Sequence, residues 1–360
     1  MTKILRLLPQ LRENHLDGAG AFGDGRVNLY LRLSYETTGA PGPEFVKVDA
    51  RGLIRAVWAS DARLLETWEP LWMRYLPLHV AVVATWRAAG VVRRGRGRPI
   101  VAHAMENARL VDLIGAGRRV PALVERTASV LLGAYVHVSL SRIAYATPDA
   151  EALYRGLPGA ERVEARLVLD LPSPCVTASG SGTGVVFLGQ LAEHKGVRDL
   201  MAAWTTVEAA DPKARLVLVG GGPLADEVAA WCALRPLSRK LSGPLRRDDA
   251  LVVVRDGAVL VLPSRRRRRW REQVGLPIRE GLRQGRTIVA SDGTGLAPWL
   301  RAQGHHVVRE GDVRALADAL LAATARPLAP RAVLATLPDL DSRESAALYL
   351  YGALGASVEA

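Results

Sequence analysis

The sequence predicts an α/β protein of two doubly wound domains facing across a cleft, and three observations carry that expectation. The chain has 360 residues, 49% of them apolar, with a mean hydropathy of +0.08, enough to fill two cores. A run from Pro172 to Gly184, PSPCVTASGSGTG, is composed of residues that cannot hold a packed element and reads as a linker. On both sides of it, strand-length apolar runs alternate with helical patterns, and the alternation restarts at Val185. The expected division is a first domain over 1–171, a linker over 172–184, a second domain over 185–341, and a final helix over 342–360 that can return to the first domain.

In chain order, Lys3 to Leu11 reads as the first strand. The glycine-rich stretch DGAGAFGDG, Asp17 to Gly25, follows and feeds a helical pattern starting near Val27. A glycine turn between strand and helix can turn backbone N–H groups toward a phosphate, and a plain surface turn fits the same residues. Its spacing is not that of the dinucleotide fingerprint. Glu44 to Asp49 and Leu53 to Ala59 read as strands, and Arg63 to Gly90 as helix. The apolar segment Leu71 to Val92 is interrupted by Arg74, Pro77, His79 and Arg87, so it reads as a core helix and not a membrane span. Trp72, Tyr75 and Trp86 would also suit a membrane interface.

Pro99 to Ala104 is a further buried strand, and it carries His103, with Glu106 and Asn107 just beyond. Sheets of this kind bind ligands outside the carboxyl ends of their strands, so His103 is a candidate contact for sugar or acceptor. Ala122 to Val138 is helical. Arg142 to Ala146 is a strand, and Asp149 to Arg155 a helix capped by Thr147 or Asp149. Asp312 to Ala325 and Ser342 to Leu354 close the chain as helices.

Charge and cysteine content bound the function. The formal charge is +12, and Lys3, Lys47, Lys195, Lys213 and Lys240 are the only lysines, so arginine carries nearly all of it. Arginine-rich codon usage explains this as well as an anionic partner does. Cys175 and Cys232 lack neighbours at metal-ligand spacing, which argues against disulfide and zinc frameworks and leaves no metal site expected. Met1 to Gln10 is strand-like without a cleavage site, which predicts a cytoplasmic protein, with peripheral attachment to the inner face of a membrane as a further option. The arginine run Arg265 to Arg269 has only Trp270 as an aromatic neighbour, which argues against nucleic acid. A solvated loop, an anionic acceptor and a lipid headgroup remain open for it.

Three ordered motifs point to a chemistry. The first is VVFLGQLAEHKG, Val185 to Gly196. The second is LVLVGGGPL, Leu216 to Leu224. The third is VLVLPSRRRRRWREQVGLPIREGLRQGRTIVASD, Val259 to Asp292, a strand, loop, helix and strand in succession. Together they resemble the donor-site signature of family 4 retaining glycosyltransferases over about Gly184 to Leu321. The resemblance implies the glycosyltransferase-B architecture of two Rossmann-like domains and a retaining, metal-independent transferase without cofactor. Its donor would be a nucleoside-diphosphate sugar, with uridine or guanosine the bases expected, and its acceptor a small molecule, glycan or lipid-linked species. An accessory protein that binds the nucleotide sugar without turnover is the alternative.

The resemblance also assigns residues. Lys195, with Gly189, would face the diphosphate, and Glu272 would contact hydroxyls of the transferred sugar near the reacting carbon. Glu280 would accept hydrogen bonds from the ribose, Gly275 and Leu276 would offer N–H groups to phosphate, and Ser242 would lie beside the base. His103 would touch the sugar, and Gly23 and Gly25 would belong to the loop folded over the donor diphosphate. The family has an arginine where this chain has Gln190, which donates hydrogen bonds but supplies no charge, so one of the arginines Arg265 to Arg269 could act in its place.

Overall fold

Two separate parallel sheets organise the chain, each reversing its strand order at its own first strand. The computed structural model describes residues 4–12, 15, 25–34, 40–94, 97–115, 118–175, 182–267 and 270–356. Contacts divide the chain into one unit of residues 1–169 and 343–360 and another of residues 170–342.

The first unit holds β1 (Ile4–Leu11), β2 (Arg26–Leu33), β3 (Phe45–Lys47), β4 (Leu64–Thr67), β5 (Ile100–Ala104), β6 (Arg142–Tyr145) and β7 (Glu164–Leu167). They form one parallel sheet in the order β3-β2-β1-β4-β5-β6-β7. Its helices are α1 (Ala50–Ala59), α2 (Leu76–Arg94), α3 (Leu110–Gly115), α4 (Ala122–Ser139) and α5 (Pro148–Arg155). Leu65, Ile100, Ala102 and Ile143 from the sheet meet Leu53, Val57, Val82, Trp86 and Val136 from the helices in one core.

Three expectations fail in this unit. Residues 26–33 are strand, not helix, because the segment is sandwiched between β1 and β3 and takes its backbone bonds from both. Residues 50–59 are helix, not strand: Asp49 Oδ1 accepts the N–H of Gly52 at 2.6 Å, and Leu53 and Val57, one helical turn apart, are buried. Leu64–Thr67, expected as helix, is a central strand buried at every position between β1 and β5. Trp86 is fully buried and Tyr75 nearly so, so both belong to the core.

The second unit holds β8 (Val185–Leu188), β9 (Leu216–Val219), β10 (Arg239–Gly243), β11 (Val259–Leu262), β12 (Thr287–Ser291) and β13 (His306–Val308), in the parallel order β10-β9-β8-β11-β12-β13. Its helices are α6 (Val197–Ala210), α7 (Ala225–Ala233), α8 (Arg247–Asp256), α9 (Leu276–Arg283), α10 (Ala297–Ala302), α11 (Val313–Ala325) and α12 (Pro330–Leu334). Of the residues read as linker, 176–181 lie outside the described residues. Those flanking them are bonded within this unit, Cys175 N–H to the Arg283 carbonyl and Thr183 N–H to the Asp256 carbonyl, both at 2.9 Å.

The last helix, α13 (Ser342–Ala356), contributes Ala346 and Leu350 to an apolar cluster with Ile4, Leu64, Val101 and Ala144. Arg142 on β6 donates to the Tyr349 carbonyl at 2.7 Å. From Arg343 onward the helix is part of the first unit.

Candidate donor-sugar site

In the second unit the strand order reverses between β8 and β11, and the loops leaving the carboxyl ends of these two strands meet there. Crevices of this kind are where open α/β sheets hold ligands. After β8 the chain makes a single turn of 3₁₀ helix, Glu193–Lys195, and enters α6 at Gly196. Gly196 has φ of +70°, and a Cβ there would lie 1.9 Å from the Pro263 carbonyl oxygen, so only glycine fits between the two loops. The Arg265 N–H donates to the His194 carbonyl at 2.8 Å and completes the junction.

This junction sets Lys195 against Glu272. The ammonium donates to Glu272 Oε2 at 2.7 Å, and the Ser264 hydroxyl donates to the same oxygen at 2.8 Å. Both charged side chains are largely buried. Lys195 Nζ also stands 4.9 Å from the centre of the Trp270 ring, and the His194 ring meets the same indole edge-on at 4.3 Å. Burial, and then the neighbouring Lys195 charge, hold the His194 pKa below its ordinary value, which favours the neutral ring.

Helix α9 starts beside this cluster. Gly275, with φ of +85°, precedes it without a side-chain cap, and Leu276 and Pro277 form its first turn. The first amides of a helix have no partner within it, and Pro277 has no N–H, so Gly275 and Leu276 supply the donors here. A Cβ on Gly189, at the end of β8, would approach Pro277 Cγ at 4.0 Å, so the β8 turn and the start of α9 are neighbours. On the same helix, Glu280 Oε1 accepts from Arg247 of α8 at 2.7 Å, while Glu280 Oε2 is buried without a hydrogen-bond partner among the described residues. A buried acceptor in that state favours a ligand that can donate to it.

The other sequence candidates fall in different places. Gln190 reaches across to the turn after β9, where a Cβ on Gly222 would lie 3.0 Å from its Cγ. Ser242 sits where the β9–β10 register shifts, between Leu241 and Gly243, and lines a shallow cavity with Arg215, Leu237 and Val253 that includes neither Lys195 nor Glu272. Gly23 lies outside the described residues. Gly25 leads directly into strand β2, so the helix N-terminus that made it a phosphate candidate is absent at that point. His103 is half-buried near the end of β5 in the first unit. Arg265 is committed to Asp199 by two hydrogen bonds, which leaves it poorly suited to replace the missing arginine, while the exposed Arg266 guanidinium stands 3.6 Å from Glu310, whose other oxygen accepts the Arg266 backbone N–H at 2.7 Å. Arg267 is exposed and exchanges backbone hydrogen bonds with Trp270, and Arg268 and Arg269 lie outside the described residues.

Sequence reading missed Ser264, Trp270 and Arg247 as members of the site. Ser264 and Trp270 flank the arginine run, and the lone aromatic there was the available signal. Nothing local marks Arg247. Among the described residues, no group of three or more His, Cys, Asp or Glu side chains could hold a metal ion.

Comparison with known proteins bears on the fold. Residues 182–325 match the family model described as Glycosyl transferases group 1. The Anabaena protein HepE in complex with UDP aligns with a TM-score of 0.63 over 99% of this chain and 98% of its own, at 13% identity. The fold is that of the GT-B glycosyltransferases. The lipopolysaccharide outer core galactosyltransferase WaaB aligns at 0.62 over 98% of this chain and 99% of its own, with 9% identity. The trehalose 6-phosphate synthase of Burkholderia multivorans aligns at 0.62 over 99% and 98%, with 13% identity. A search of the curated proteins finds no match.

Proposed function

We propose that this chain is a retaining glycosyltransferase that moves a sugar from a uridine diphosphate donor to a hydroxyl acceptor, without a metal ion or other cofactor. The observation that carries the reading is the Lys195–Glu272 pair at the strand-order reversal, beside an uncapped helix start and the unpartnered Glu280 Oε2. A leaving diphosphate gains charge as the glycosidic bond breaks, and a fixed ammonium with backbone N–H donors lowers that barrier. Lys195 and the amides of Gly275 and Leu276 are assigned to the phosphates. Glu272, acceptor-only when ionised, is assigned to hydroxyls of the sugar, and Glu280 to those of the ribose. Uridine is the base favoured because HepE is also known in complex with UDP-glucose.

With Ser264 and Lys195 already on Glu272, the carboxylate is oriented before substrate arrives, which reduces the cost of ordering it. In the retaining reaction proposed, acceptor oxygen attacks the anomeric carbon on the face the nucleotide leaves. The departing phosphate takes the acceptor proton, so no side-chain base is required.

The test is a thermal-shift panel of UDP, GDP and their sugars, followed by transfer assays with and without chelator. Stabilisation by UDP-sugars and turnover that survives chelation are expected; stabilisation by no nucleotide would overturn the reading. Lys195→Ala should lower turnover by about 10²–10³-fold, the usual loss when one preorganised donor to developing negative charge is removed. Gln190 motivates a second reading, a binding protein without turnover. Detection of transfer to any acceptor would eliminate it.

A further inference from the structure

Helices α2 and α4 lie side by side in the first unit and both leave an apolar stripe uncovered. The His79 ring of α2 is 2.6 Å from the Tyr135 hydroxyl of α4, and Arg87 of α2 donates to the Ser139 carbonyl at the end of α4 at 3.4 Å. On α4 the outward stripe is Leu123, Val130, Leu131 and Val138, at helical spacing and 75%, 46%, 65% and 59% exposed. On α2 the outward residues include Val80, Val91 and Val92, the last 71% exposed, while Val82, Val83, Trp86 and Ala89 on the opposite side are in the core. Residues Met73–Arg93 are long and apolar enough to cross a membrane by length and composition. The burial of one side only makes this a two-faced helix that belongs at a surface and not across it. Trp58 of α1, also exposed, extends the patch, with the Arg93 guanidinium 5.8 Å from its ring centre. An uncovered apolar surface of this extent on two adjacent helices marks an interaction site.

Charge decides the occupant. Arg74, Arg87, Arg93, Arg118, Arg119 and Arg126 are exposed on these helices and their approaches, against the half-buried Glu125. A second copy of the chain would set like charges against each other. An anionic bilayer suits both features at once, since leucines and valines enter the acyl boundary while arginine stems lie along it and their heads meet headgroup phosphates. We infer that the α2–α4 face is a membrane-docking surface that places the first unit on an anionic leaflet. The inference rests on exposure and charge in the first unit and stands apart from the donor chemistry of the second.

Flotation of the full chain with vesicles of phosphatidylcholine, alone or mixed with phosphatidylglycerol, tests it. Binding to the anionic vesicles is expected, and should fall at least about tenfold in Leu131→Asp/Val138→Asp through the loss of two apolar side chains from the interface. Each of Arg118→Gln, Arg119→Gln and Arg126→Gln should weaken it about fivefold. All five positions are exposed, so an unchanged thermal midpoint establishes that the variants fold, and Arg266→Gln/Arg267→Gln in the second unit should bind as wild type does. The proposal is overturned if wild type binds no vesicle, which would point to a protein partner. It is equally overturned if the α4 variants bind as wild type does, if only Arg266→Gln/Arg267→Gln loses binding, or if wild type is a dimer that Leu131→Asp/Val138→Asp dissolves.

Discussion

The two units share a strand order but treat the carboxyl edge of the sheet in opposite ways. In the second, α6 and α9 begin at Gly196 and Gly275, both with positive φ and neither with a side-chain cap, and a lysine–glutamate pair stands between them. In the first, α1 and α5 are capped by Asp49 and Thr147, and the polar centre is an acid without a cation. Glu69, just past β4, takes N–H donors from Met105 at 3.1 Å and Glu106 at 2.8 Å and the Tyr154 hydroxyl at 3.3 Å, all on Oε2. Burial first, and then the Glu106 charge, push its pKa up to about 8. The contrast teaches that topology sets where the loops converge, while caps and charges set which polar groups stand there: an ammonium–carboxylate pair in one unit, a buried acid among neutral donors in the other.

The largest expected effect breaks the second unit's frame. Arg279 of α9 bonds Asp170, which is fully buried, and Asp341 at 2.6 Å, and the Ser342 hydroxyl bonds Asp170 at 3.2 Å. Arg279→Ala would strand the Asp170 charge and cost about 3–5 kcal/mol, read as a lowered urea midpoint at unchanged slope. A wild-type midpoint would show that the ion cluster contributes nothing net.

Glu69 sharpens the comparison through pH. Its folded pKa lies above the unfolded value, so its contribution is complete below about 4.5 and is lost as pH rises to about 8. Stability should therefore decline over that window by up to about 1.4 kcal/mol per pH unit from this group. Glu69→Gln, which cannot ionise, should remove the decline, and urea titrations of both proteins across the window would measure it. A matching slope in the variant would mean the acid is ionised in the folded protein.

The smallest effect concerns the caps. Thr147 Oγ1 accepts the Ala150 N–H at 3.1 Å and is buried, so Thr147→Ala should cost about 1 kcal/mol without changing nucleotide binding. Calorimetry of UDP binding beside the unfolding curve separates the two. A loss of binding would contradict the separation of roles between the units.

How legible each unit was follows the same line. The second unit's three motifs resemble a known donor signature in order and spacing, so Lys195 and Glu272 were named together from sequence, and the structure brings them to 2.7 Å of each other. In the first unit, Leu53 to Ala59 and Val27 to Leu33 exchanged helix and strand, because each short apolar run satisfies both periods and neighbouring strands decide between them.

By itself, the sequence determined the restart at Val185 and the alternation of strand and helix in the second unit, since these rest on local periodicity and turn chemistry. Tertiary structure alone decided that Arg247 holds Glu280, that Glu69 is buried beside Glu106, and that one side of α2 meets the core while the other meets solvent. Those outcomes depend on which distant segments cover a side chain, and burial is a property of the folded neighbourhood that no stretch of chain carries on its own.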